Sequence, residues 1–200
     1  MATKPHTTRT LGPLHLEDLE PHRFEDLIRQ LIYDFRPWRA IEATGRGGGD
    51  DGFDARAWEI VGETRDVVDD DADDDTDAVA DRQWLIQCKR ERAITPKKLE
   101  GYVEAIPTEE RDRIYGVIFA AACDFSKTAR DKYREKVRAL GFAEAYLWGK
   151  AEIEDALFQP KNDHLLFAYF GISLQARRRS LRSDVRARLA AKRKVKRAGR

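Results

Sequence analysis

The chain has 200 residues, 42% of them hydrophobic and 36% charged, with 37 Lys/Arg against 36 Asp/Glu. That length suffices for one domain with a buried core, perhaps carrying an appendage. No apolar run approaches the roughly 20 residues that cross a bilayer, and the opening MATKPHTTRT lacks the apolar centre of a secretion signal, which together predict a cytoplasmic protein with no membrane association.

The near-zero net charge hides a split. Residues 176–200 hold 12 Lys/Arg and one acid, Asp184, which leaves 25 bases against 35 acids in residues 1–175. The tail is therefore +11 and the body −10. Such asymmetry points to a tail that binds nucleic acid or a partner.

In chain order, residues 1–13 are polar and proline-bearing and read as a loose N-terminus. In LHLEDLEPHRFEDLIRQLIYDF, Phe24, Leu27, Ile28, Leu31, Ile32 and Phe35 recur at three- and four-residue steps, which predicts an amphipathic helix ended by Pro37. WRAIEAT, DGFDARAWEIV and QWLIQCKR read as three strands, the last two forming a hairpin. Their connection contains DVVDDDADDDTDAVAD at 66–81, whose like charges and scarce apolar surface predict a disordered insert. Its opposition to the basic tail also raises the expectation of an electrostatic brake on DNA binding.

Thr95 as cap and Pro96 as first residue start a helix in ITPKKLEGYVEAI. IYGVIFAAA reads as a buried strand, and a helix capped by Asp124 or Ser126 runs to Gly141. AEAYLW is a last strand, followed by apolar helical segments in KAEIEDALF and HLLFAYFGISL and a basic helix with a narrow apolar stripe. Cys88 and Cys123 lie in apolar segments without CxxC spacing and read as packed thiols. The order predicts an α/β fold, a central mixed sheet flanked by helices, with a basic helical C-terminal extension.

The residues with chemistry lie at one place. Side chains alternate along a strand, so Gln87 and Lys89 share a face while Ile86 and Cys88 share the other. Two polar side chains on a central strand need a polar counterpart. The neighbouring strand offers Asp54, at the end of GRGGGDDGFD, where glycines allow a sharp turn. Asp54, Gln87 and the Cys88 carbonyl form an oxygen set suited to Mg²⁺ or Mn²⁺. Lys89 then serves a water or a phosphate. The reaction class is metal-assisted phosphodiester hydrolysis, and a solvated hairpin face is the plainer alternative.

These pieces resemble the Mrr-like branch of the PD-(D/E)xK restriction-endonuclease superfamily. The resemblance rests on FEDLIRQLI at 24–32, GGGDDGFD at 47–54, LIQCKR at 85–90, GVIFAAACDFSKTA at 116–129 and LWGKAEIEDAL, and covers residues 20–160. It implies a restriction-endonuclease-like nuclease domain over 14–160 and an extension over 161–200. It implies Asp54, Gln87 and Lys89 as the catalytic set, with Glu25 of the first helix as a further candidate metal ligand. Gln87 stands where many superfamily members carry an acid, which removes one negative charge from the site. DNA is the implied substrate, a homodimer or larger assembly the implied state, and restriction or defence the implied setting. An activating partner protein is a further candidate.

Lys97 and Lys98 in the first turn of one helix and Lys127 at the start of another are placed to hold phosphates. Arg177, Arg178 and Arg179 open the basic tail, whose binding to DNA should weaken steeply with salt. Asp50, Asp51 and Glu42 read as turn or surface acids. A non-catalytic DNA-binding or scaffolding module, and a junction-resolving nuclease on the same core, are the alternative readings.

Overall fold

The computed structural model describes residues 12–44, 52–61 and 81–174. Most of the acidic run and the basic tail, with Arg177, Arg178 and Arg179, lie outside the described residues. The strands are β1 (Trp38–Ala43), β2 (Ala55–Glu59), β3 (Arg82–Lys89), β4 (Ile114–Ala121) and β5 (Glu144–Trp148). They form one sheet in the order β1-β2-β3-β4-β5. β1, β2 and β3 pair antiparallel, whereas β3–β4 and β4–β5 pair parallel. The sheet is mixed, as the sequence predicts.

Helices cover both faces. On one lie α1 (Pro21–Ile32), α5 (Lys150–Leu157) and α6 (Asp163–Phe170), packed on Trp84, Ile86, Cys88, Ile118 and Ala120. On the other lie α2 (Pro96–Glu104) and α4 (Lys127–Ala139), packed on Leu85, Val117, Phe119 and Ala121. Covering both faces explains why β4, and Trp84–Ile86 of β3, read as continuous apolar runs. α6, which the sequence reading assigns to the C-terminal extension, buries Leu165 and Leu166 in the α1-side core.

Local signals set the helix ends. Thr95 accepts from the Lys98 N–H ahead of Pro96, and Ser126, rather than Asp124, accepts from the Ala129 N–H. Asp124 instead accepts from the Ala151 N–H. The first helix is shorter than its periodicity suggests. It starts at Pro21 behind a Glu20 cap and closes at Ile32, so Pro37 does not end it. Residues Leu16–Asp18 form a separate 3₁₀ turn, and the short α3 (Thr108–Arg111) has too few apolar residues for a periodic signal.

The end of the sheet where β4 and β5 begin is fixed by a polar network. The Arg36 guanidinium donates to Glu144 and to the Tyr146 hydroxyl at 2.6 Å, and to Glu59 at 3.3 Å. Glu59 is buried and accepts from the Trp84 indole at 2.9 Å. Arg36 also lies over the Trp84 ring, 5.3 Å from its centroid. One arginine thus ties the loop after α1 to β2, β3 and β5.

Two consequences are testable. A methyl group on Gly116 would come within 2.5 Å of the Trp84 ring, which is fully buried. Gly116→Ala should therefore cost about 1–3 kcal/mol through overpacking, seen as a lower urea midpoint. An unchanged midpoint would mean that the indole has room to move.

The second concerns Glu152, which caps α5 through the Gly149 N–H at 2.8 Å and pairs with Arg130 of α4 at 2.6 Å. Burial pushes this carboxyl up, but Arg130 and the backbone donors outweigh it and hold it below its ordinary 4.5. A lowered folded value adds stability above the unfolded value and loses it as pH falls through the folded one. Glu152→Gln should melt below wild type at neutral pH, with the gap closing as pH drops below about 4.5.

Candidate active site

The parallel strands β3 and β4 end side by side, with Lys89 paired to Ala121. The carboxyl ends of parallel strands are where open α/β sheets place ligands. Because β2 runs antiparallel to β3, its start meets the end of β3, and Ala55 pairs with Ile86. The turn before β2 therefore delivers Asp54 beside the last residues of β3.

Asp54 is held from both sides. Its N–H donates to the Ile86 carbonyl at 3.0 Å, and its own carbonyl accepts from the Thr44 N–H at 3.1 Å. The Thr44 hydroxyl donates to the Phe53 carbonyl at 2.7 Å. Phe53 is buried against the α2–α4 face, which anchors the turn. From this fixed backbone the Asp54 carboxylate accepts from the Cys88 N–H at 2.5 Å. A strand residue directs its N–H and C=O to the same edge, so the Cys88 carbonyl also lies on the Asp54 side.

Gln87 is buried, and its amide nitrogen donates to the Gly52 carbonyl at 2.8 Å. That contact settles which end of the amide is the donor and leaves Oε1 as an acceptor. Gly52 has φ +83°, while a Cβ there would meet only Gln87 Nε2 at 3.9 Å. Conformation, not crowding, is what this position demands of its residue.

The sequence reading expects Asp54 to face Gln87 and Lys89. Its carboxylate accepts from the Cys88 N–H, between their positions in the chain. Lys89 is half-buried, and its Nζ lies 5.2 Å from the centroid of the Tyr102 ring on α2. Glu25 of α1 is half-buried and 3.1 Å from His22. Cys88 reports on all of these groups. Burial first, then the Asp54 and Glu25 carboxylates, push its thiol well up, opposed by Lys89 and Arg29. The thiol stays protonated, and Cys123 is likewise free and buried.

Lys97, Lys98 and Lys127 are exposed. α2 follows β3 and α4 follows β4, so both helices begin at the site end of the sheet. Lys98 is paired with Glu91 at 2.5 Å. Asp50 and Asp51 lie outside the described residues, and Glu42 is exposed on β1. Four neighbours escape the sequence reading. Thr44 pins the turn, Tyr102 and Glu91 flank Lys89, and Arg90 donates to the Glu17 and Leu19 carbonyls at 3.0 and 2.9 Å. The Gln87–Lys89–Glu91 alternation was the available signal for Glu91. The others bind through backbone or across elements and leave no local pattern.

Among the described residues no group of three or more His, Cys, Asp or Glu gathers as a metal cluster. The donor set at the strand end is one carboxylate, one amide oxygen and one peptide carbonyl, with Glu25 close by. It suits a hard cation that keeps several waters and takes few protein oxygens.

A family model described as a restriction endonuclease, the Mrr catalytic domain, matches residues 16–144. The chain belongs to the Mrr-type restriction endonuclease family. Neither a curated protein nor a solved structure matches it. Membership marks this Mrr-type domain as a nuclease acting on DNA, in a family that generally uses divalent metal ions. The matched span contains the turn at Asp54, all of β3 and the helices on either side. Among the described residues, no helix is long and apolar enough to cross a membrane.

Gly52→Ala should destabilise the domain by about 1–2 kcal/mol, the cost of a left-handed conformation for a residue with a Cβ. A denaturant titration checks this, and a shift of that size fails to appear if the turn relaxes without loss.

Proposed function

We propose that the chain is a metal-dependent DNA endonuclease. In this reading Asp54, the Gln87 amide oxygen and the Cys88 carbonyl hold Mg²⁺ or Mn²⁺, with Glu25 as a further ligand. The observation that carries it is the Asp54 carboxylate fixed on the Cys88 N–H, which unites the turn and the end of β3 in a chain of this family.

Bound there, the cation supplies Lewis-acid polarisation of the scissile phosphate. The protein's own groups do the rest. Asp54 gives the site its fixed negative charge and is held in place before any ligand arrives. Gln87, anchored on Gly52, presents an oxygen without adding charge. Lys89 offers N–H donors to the phosphate oxygens as charge builds on them, and to the attacking water. Lys97, Lys98 and Lys127 steer the DNA backbone to this end of the sheet, joined by Arg177, Arg178 and Arg179 of the tail. Cutting both strands of a duplex calls for two such sites, which favours a homodimer, and restriction or defence against foreign DNA is the fitting role.

Cleavage of plasmid and phage DNA with Mg²⁺ or Mn²⁺ tests this directly. Lys89→Ala and Asp54→Asn should each lower the rate by about 100-fold or more while DNA is still bound. Asn keeps an oxygen for the Cys88 N–H but loses the charge, so its failure would be chemical rather than structural. A wild-type protein that binds DNA yet cuts neither modified nor unmodified DNA would leave the reading to a binding module.

A further inference from the structure

Lys89 is positioned in an unusual way for a lysine that is to meet a phosphate. Among the described residues no carboxylate lies within ion-pair distance of it. What it meets is the ring of Tyr102, at 5.2 Å from Nζ to the centroid. The Lys98 ammonium lies 5.8 Å from the same centroid. The Tyr102 hydroxyl donates to Glu91, and Glu91 accepts from Lys98. Against the ring stands Phe119 of β4, with centroids 5.7 Å apart, so the ring is braced by the core. Leu99 and Val103, buried on either side of Tyr102 in the chain, fix the helix that carries it.

The chemistry of this arrangement is specific. An aromatic face attracts a cation through its quadrupole and takes none of its hydrogen-bond donors. A carboxylate placed directly on Lys89 would occupy those donors and cancel the charge that a phosphate needs. The ring orients the ammonium and leaves both intact. Burial, then the hydrogen bond to Glu91, push the Tyr102 hydroxyl up, so it stays a neutral donor. Burial pushes Glu91 up, but Lys98, Tyr102 and Lys89 outweigh this and keep it an anion. That anion offsets the repulsion between two nearby ammoniums.

We propose that Tyr102, held by Glu91 and Lys98, forms a clamp that positions Lys89 with its charge and its donors free for one DNA phosphate group. Tyr102 and Glu91 are positioning residues and touch no reacting atom. The proposal rests on the nuclease reading of the site, and its test is built so that the two fail separately.

The first readout needs no cleavage. In lysine-labelled protein the Lys89 ε-protons, assigned by their absence in Lys89→Arg, should be displaced upfield by the Tyr102 ring current. The displacement should persist in Tyr102→Phe and vanish in Tyr102→Leu. The second readout is turnover against affinity. Tyr102→Leu should lower kcat about 10- to 100-fold at unchanged DNA affinity, the scale expected when a catalytic group is misplaced. Tyr102→Phe, which keeps the ring, should restore most of the rate, and Glu91→Gln should fall between the two.

Lys89 protons without displacement in the wild type would overturn the clamp, as would Tyr102→Leu cutting at the wild-type rate. If the wild type does not cut at all, the nuclease reading falls and the proton displacement alone decides the clamp. Should Tyr102→Leu fail to fold, Tyr102→Phe and Glu91→Gln, which keep the core packing, carry the comparison.

Discussion

The structure depends on a conflict within one strand. β3 lies in the middle of the sheet with helices on both faces, so its residues from Trp84 to Cys88 are all buried. Yet it ends in Gln87 and Lys89, whose polar groups cannot be left without partners in such a place. The fold resolves this at the carboxyl end. A turn with φ +83° at Gly52 brings a backbone carbonyl to Gln87 and a carboxylate to the Cys88 N–H. α2 brings an aromatic ring to Lys89. Each partner answers a demand that burial creates, and the candidate site is the sum of those answers.

At the opposite end β3 begins with Arg82 and Gln83, both only half-buried, and Arg82 lies over the Tyr115 ring. There, Arg36, Glu59, Trp84, Glu144 and Tyr146 interlock, and buried Glu59 bonds both the guanidinium and the indole. Removing one member of such a network would strand a buried charge, which costs far more than the intact pair contributes. The sheet is therefore locked at one end by a structural ionic network and carries the candidate site at the other.

Much of this was legible in the sequence because the strong signals are local. Three- and four-residue spacing located α1, Thr95-Pro96 located the start of α2, and the apolar run at 114–121 announced a strand covered on both sides. Alternation placed Gln87 and Lys89 on one face and Ile86 and Cys88 on the other, and the two cores separate in that way. The apolar stretch that begins at Leu14 reads as one helix up to Pro37, whereas α1 covers only Pro21–Ile32. Leu14 precedes the 3₁₀ turn and Leu16 opens it, and both are buried by tertiary contacts that periodicity cannot distinguish from helix. In the site, residue types and strand pairing were readable but partners were not. The seat of Asp54 is a backbone N–H, which every residue but proline possesses. Tyr102 reaches Lys89 from another element, and only the packing of α2 decides that it does.

Arg90 sits next to Lys89 in LIQCKR and would be grouped with it by position alone. Its guanidinium instead closes the 3₁₀ turn onto the end of β3 through two carbonyl groups. Behind that turn, the Leu14 N–H reaches Glu154 of α5, and Leu14 and Leu16 fill the α1-side core. A screen that scores loss of function would place Arg90 among the reactive groups. Its variants would instead lose the two hydrogen bonds that hold the 3₁₀ turn at the end of β3. In this motif adjacency in sequence joins two different settings, Lys89 against the Tyr102 ring and Arg90 against the turn at residues 16–19.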